Sequence, residues 1–239
     1  MLALLVVKYI QTLPFILGIA FVSLSSMPHW AKAQTDSQIA TIAKAATLDD
    51  VREVKSLIDK GMSPNQKDPR NMPILMIAIQ ENSVKTVDYL INVKGIDLNQ
   101  ANMTNETPLM FAALYGLLPE VKILVNQKEV PVNRSGWTPL HYACTNGHLE
   151  IALFLLDKGA VVDAPSPNET TPLMMAIRAG NIQLVRLLLD RGADIRIRNQ
   201  QGYSAIDVAE LFNQEEIQKG LRARWQKLYN EPYPGGPKS

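Results

Sequence analysis

Thr138-Pro139-Leu140-His141-Tyr142-Ala143-Cys144-Thr145-Asn146-Gly147-His148 reads as one short helix with both of its ends marked. Thr138 can cap the start by accepting a hydrogen bond from a free backbone N–H. Pro139 suits the first turn, where its missing N–H costs nothing. Leu140 and Ala143 stand three apart and share a face, and Gly147 can end the helix in the left-handed conformation. The phrase recurs: Thr107-Pro108-Leu109 precedes it and Thr171-Pro172-Leu173 follows it, at nearly equal spacing. A fixed period of this size is the mark of stacked repeats.

Outward from that stretch the same frame continues. Units start near Ala40, Pro73, Thr107, Thr138, Thr171 and Ser204, so the period is nearly constant along the chain. Position three holds Ile42, Leu75, Leu109, Leu140, Leu173 and Ile206, and position six is always Ala. Position ten holds Gly116, Gly147 and Gly180, or Asp49, Asn82 and Asn213, the residue types that best tolerate positive φ. A second apolar helix follows each terminator, as in Leu149 to Leu156 before Gly159 and Ile182 to Leu189 before Gly192. No terminating Gly stands at Lys128, and the connection after it is two residues short, which predicts a blunted loop there.

The chain therefore resembles the ankyrin-repeat family, over roughly Asp36 to Trp225. The resemblance rests on the Thr-Pro-Leu-His phrase, the Ala at position six, Gly147-His148, and the Leu-Leu-Asp-x-Gly-Ala pattern at the ends of second helices. It implies an all-α solenoid of about six helix-turn-helix units with protruding β-turn loops, here over residues 36–229. It also implies that His141 tethers loop backbone. The unit at Ser204 lacks the Pro and the His, as a terminal capping unit would. Residues 230–239, rich in Pro and Gly, have no apolar period and are expected to be a disordered tail.

The amino-terminal stretch 1–33 differs from the rest. Lys8, an apolar run from Leu13 to Leu24 and Ala31-Lys32-Ala33 match a secretory signal peptide cleaved after Ala33. The run is short for a membrane span and is broken by Pro14 and Gly18, which favours cleavage over a retained anchor. Loss of Lys8 and Lys32 takes the formal charge from +1 to −1, so nothing recommends nucleic acid as a partner. The mature protein is expected to be periplasmic or secreted, monomeric and without a membrane span. Cys144 is the only cysteine, so no internal disulfide can form.

Chemistry is sparse. Beyond Ala33 the histidines are His141 and His148 alone; with one cysteine they cannot build an ordinary zinc site, and no metal, cofactor or catalytic residues are expected. Cys144 stands where other units hold Ala113 and Ile177, so it reads as a buried core residue rather than a redox thiol. Asp49-Asp50 and Glu215-Glu216 fall at the starts of second helices, where carboxylates suit the helix dipole. Lys219, Arg222, Arg224 and Lys227 read as a solvated face of the last helix ahead of a basic docking stripe.

In the family, partners are contacted through the loop tips and the two residues before the terminating Gly, along one concave side. Carried onto this sequence, the resemblance implies a protein-binding strip that includes Met72, Met103, Arg134, Trp137 and Tyr203 at the tips and Leu114, Tyr115, Thr145, Asn146 and Arg178 at helix ends. Glu106, Thr170 and Leu211-Phe212 belong to the same frame. Trp, Tyr and Arg are the usual anchors of such surfaces, and as surface residues Trp137, Tyr115 and Arg134 should add little to stability. The expected function is an exported, non-catalytic protein–protein interaction module. An immunity protein that neutralises a toxin, and a helper of a periplasmic oxidative-stress enzyme such as catalase, remain open as versions of it.

Overall fold

The computed structural model describes residues 29–236, with side chains from Asp36 onward. The chain divides into two units, with the boundary between Ser37 and Gln38. The expected signal peptide falls almost wholly outside the described residues, and so do residues 237–239 of the tail. Everything below concerns the second unit.

Twelve helices are described, in six pairs: α1 (His29–Thr47) with α2 (Val51–Asp59), α3 (Ile74–Gln80) with α4 (Val84–Leu90), and α5 (Pro108–Leu114) with α6 (Leu118–Asn126). Then come α7 (Pro139–Thr145) with α8 (Leu149–Asp157), α9 (Pro172–Arg178) with α10 (Ile182–Asp190), and α11 (Ala205–Leu211) with α12 (Glu215–Tyr229). No strand forms among the described residues, only isolated antiparallel bridges at Lys67 with Pro73 and Arg198 with Ser204. No described helix is long and apolar enough to cross a membrane.

The stack follows from the repeat positions. First helices pack in a row, α3 on α5, α5 on α7, α7 on α9 and α9 on α11, and the Leu or Ile at position three lies wholly inside each. Ala78, Ala112, Ala143, Ala176 and Ala209 are 0% exposed. A larger side chain at any of them would push neighbouring helices apart, at a cost of about 1–3 kcal/mol. Cys144 sits in the same core, and burial raises its thiol pKa far above the ordinary range, which fits a packing residue.

Position ten is left-handed as expected, with φ near 54° at Asp49, Asn82 and Asn213 and 69–77° at Gly116, Gly147 and Gly180. The glycines answer to sterics as well. A Cβ on Gly116 would stand 2.6 Å from the ring of His148, and one on Gly147 would stand 2.9 Å from the amide of Asn181. Those residues reach back across the unit boundary, His148 Nε2 donating to the Leu114 carbonyl at 2.9 Å and Asn181 to that of Gly147 at 2.9 Å.

Two expectations need correction. The first helix is already running at Ala40, with no cap there, so the frame's first start is not a structural boundary. The tail is ordered as far as residue 236. Tyr233 is buried against the last unit, its hydroxyl donating to Asp207 at 2.6 Å, and Arg198 donates to the carbonyl of Gly235 at 3.1 Å. Composition suggested disorder because the tail has no core of its own; it uses the open end of the stack instead.

Candidate partner-binding surface

Four loop tips are each shaped by a side chain that accepts from a backbone N–H four residues on. Asp68 accepts from Met72, Asn102 from Glu106, Ser166 from Thr170 and Asn199 from Tyr203, all at 2.9–3.0 Å. The loop before Thr138 has no such turn. Asn133 instead bridges to the next unit, donating to the Gly159 carbonyl at 2.8 Å and accepting from Val161 at 2.9 Å. Asn65 makes the equivalent bridge to Gly95 and Asp97. Four residues separate Asn133 from Thr138 where seven separate Asn65 from Pro73. The blunted tip expected at this loop is therefore present, and it is three residues shorter than that earlier loop.

The short tip opens a notch between its taller neighbours. Thr104 and Asn105 wall one side and Pro167 the other, with Arg134, Trp137 and Tyr142 inside, around a volume of ≈ 260 Å³. Arg134 is held there by donating to the Asn105 carbonyl at 2.8 Å. Tyr142 donates to Glu106 at 2.7 Å. Burial by itself would raise the Glu106 pKa, but the hydrogen bonds from Thr104, Asn102 and Tyr142 outweigh it and hold the carboxyl below its usual range. Burial and then this carboxylate push the Tyr142 phenol far up, so it stays a neutral donor.

On the far side of Trp137 lies a second recess of ≈ 370 Å³, floored by Met174, Met175 and Val208 and rimmed by Arg178, Tyr203, Leu211 and Phe212. The Arg178 guanidinium stands 5.4 Å from the centre of the Phe212 ring, within cation–π range. Its other polar neighbours are amides and hydroxyls; no carboxylate lines it.

These recesses gather Arg134, Trp137, Arg178 and Tyr203 of the expected strip. Met72, Met103, Leu114, Tyr115, Thr145 and Asn146 line neither. Met72 is half-buried against the core, whereas Met103 is 77% and Tyr115 42% exposed. Asn146 ties its unit to the Leu114 carbonyl at 2.8 Å, and Thr145 bonds back to the His141 carbonyl. Trp137 is not the free surface residue expected: it is half-buried, its ring edge-on to His141 at 5.2 Å. The sequence reading missed position five of the unit, which supplies Tyr142, Met175 and Val208. Helical spacing could have found it, since position five shares a face with positions eight and nine; Phe111 and Tyr115 show the pairing, with ring centres 5.7 Å apart.

His141 has the scaffold role that the resemblance implied. It is fully buried, and Nε2 lies 3.0 Å from the Thr170 carbonyl, which can only accept. Nε2 therefore carries the proton, and Nδ1 accepts from the Thr138 N–H at 3.2 Å. Burial lowers the ring pKa to about 4, which keeps the ring neutral. Among the described residues no group of three or more His, Cys, Asp or Glu is placed to hold a metal ion.

The comparisons with known proteins agree with the repeat fold. A profile described as ankyrin repeats (3 copies) matches residues 94–166, and another, ankyrin repeats (many copies), matches residues 155–209. No curated protein matches the chain in sequence. Among solved structures, one similar chain comes from a complex of a predatory endopeptidase from Bdellovibrio bacteriovorus with an immunity protein. It shares 25% identity at a TM-score of 0.67, over 77% of this chain and 97% of that one. In all, 513 solved chains are significantly similar, so the fold alone selects no partner and the side chains must.

Proposed function

We propose that this chain, which belongs to the ankyrin-repeat family, is a non-catalytic protein that captures a protein partner on its loop tips and first-helix ends. One observation carries the reading: the shortened tip sets Trp137 between two recesses, one polar and one apolar, on the side where Tyr115, Leu211 and Phe212 are left exposed. Aromatic and Arg anchors beside such recesses are the usual centres of binding energy. A prebuilt scaffold lowers the ordering cost of association. The test is capture of partners from the native compartment by the wild type and by Tyr115→Ala with Arg178→Glu. Both residues are exposed, so the variant should stay folded and lose its partner; unchanged capture would sink the reading.

Within this reading the partner is a toxic enzyme and the chain its immunity protein. The likeness to a chain of an endopeptidase–immunity complex favours this over service to an oxidative-stress enzyme. Co-expression of the chain with a toxic peptidase encoded beside its gene should rescue growth. Failure to rescue growth or to bind such an enzyme would remove this version. The protein works in the periplasm or outside the cell as a monomer, after cleavage following Ala33. Lys8, the apolar run and the Ala-Lys-Ala site support export. Amino-terminal sequencing of the protein from its own cell should begin at Gln34, and a start at Met1 would refute the localisation.

A further inference from the structure

The second-helix side of the stack carries a cleft of its own, away from the loop tips. It lies between α10 and α12 and encloses ≈ 460 Å³. Its walls are two helical stripes. Ile182, Val185 and Leu189 stand at i, i+3 and i+7 on α10, and Ile217, Gly220 and Leu221 stand at i, i+3 and i+4 on α12. The α10 stripe spans about two turns, or about 10 Å of helix, and the α12 stripe about one turn, or about 6 Å. Among second helices α2 packs closely on α4, α6 on α8 and α8 on α10, whereas α10 and α12 do not close on each other in this way.

Gly220 is what keeps the cleft open. It lies inside the long α12, where glycine is the poorest helix former apart from proline. Its φ is not left-handed, and a Cβ placed on it would meet nothing within 4 Å. Neither backbone geometry nor packing therefore calls for glycine here; a side chain would stand in the mouth of the cleft. Charge is one-sided around it. Arg186 and Lys219 are exposed and have no acidic partner among the described residues, and Arg224 uses its guanidinium on the Leu189 carbonyl at 3.3 Å. Glu216 is the one carboxylate of the lining.

We propose that this cleft is a second docking site, one that receives an amphipathic helix with an acidic flank from a partner protein. A groove between two helices accepts a third by the ridge-and-groove packing of helices, with apolar anchors at i, i+3, i+4 and i+7. The basic rim selects carboxylates beside that apolar stripe. The site is independent of the loop-tip surface. It also recasts Lys219 and Arg224 as part of a receptor rather than only a solvated face.

The test uses the full mature chain and two labelled helical peptides. Both carry leucines at i, i+3, i+4 and i+7; one is flanked by glutamates and the other by lysines. The glutamate peptide should bind saturably and the lysine peptide at least about tenfold more weakly, with the preference reversed by R186E/K219E. Gly220→Leu should raise the melting temperature, because glycine leaves a helix, yet lose at least about tenfold in affinity for the glutamate peptide; that pairing separates a filled site from a damaged fold. Trp137→Ala should leave this binding unchanged. The proposal is overturned if neither peptide binds, if both bind alike, or if Gly220→Leu binds as well as wild type. It is also overturned if light scattering finds a dimer that Gly220→Leu abolishes, which would make a second copy the occupant.

Discussion

The unit at Thr138 and the unit at Ser204 place opposite chemistry at the same position. Position four is His141 in the middle of the stack and Asp207 at its end. His141 faces the Thr170 carbonyl in the tip that leads into the next unit, an acceptor, so an N–H donor is needed. Asp207 has no next unit; the tail comes to it instead, bringing the Tyr233 hydroxyl at 2.6 Å, and the Arg198 guanidinium joins it at 3.1 Å. Both are donors, so a carboxylate fits. Each residue still serves its own helix, Nδ1 of His141 accepting from Thr138 and Asp207 accepting from Ser204 at 2.8 Å. A repeat can thus keep its inward contact and retune its outward one to whatever lies beyond.

The hardest test of that comparison is to exchange the two residues. His141→Asp would set a buried carboxylate against a carbonyl with no donor between them, and a loss of about 3–5 kcal/mol is expected in urea unfolding. Asp207→His should cost only about 1–2 kcal/mol, since Nδ1 can keep accepting from Ser204 while Nε2–H donates to the Tyr233 hydroxyl oxygen and the tail adjusts. Equal losses would mean that the outward partner does not set the residue.

Acid should strike the same difference. The folded-state pKa of His141, about 4, lies below its unfolded value near 6.5. The unfolded chain therefore binds the extra proton first. The neutral ring's contribution, on the order of 3 kcal/mol, is complete above about pH 6.5 and is lost as the pH falls toward 4. The urea midpoint should drop across that window, and His141→Gln should flatten the drop. A wild-type curve as flat as the variant's would contradict the burial argument.

Ending the chain at Tyr229 should lower stability by about 1–2 kcal/mol and speed hydrogen exchange in α11, with Tyr233→Phe giving roughly half of that. A truncation without effect would restore the view of the tail as an idle extension. Smallest is Trp137→Ala, expected to cost about 0.5 kcal/mol through its edge contact with His141, and to weaken partner capture well beyond that. A stability loss without a binding loss would leave Trp137 a scaffold residue only.

Much of the fold was legible in the sequence because its cause is local and periodic. Leu140, Ala143 and Gly147 each answer to one helix and its immediate neighbours, so their spacing alone fixes the register. The weaker units at Pro73 and Ser204 were readable for the same reason. The site was legible only in part. Arg134, Trp137, Arg178 and Tyr203 do line recesses, but Tyr142, Met175 and Val208 at position five were not singled out. Asn146 proved to be a tether between units, and Tyr233 sat in text too polar and too broken to suggest burial.

By itself the sequence determined the number and register of the units, the capped helices, the left-handed terminators and the short loop before Thr138, because these depend on which residue follows which. Only the tertiary structure decided where recesses open. The notch at Trp137 exists because tips from three consecutive units stand side by side at unequal height. The cleft at Gly220 exists because α10 and α12 pack loosely and no side chain stands at residue 220 to fill the gap, and the tail is ordered because the last unit offers it a carboxylate. Each of these depends on contacts between residues a whole repeat apart in the chain, which only the stack brings together.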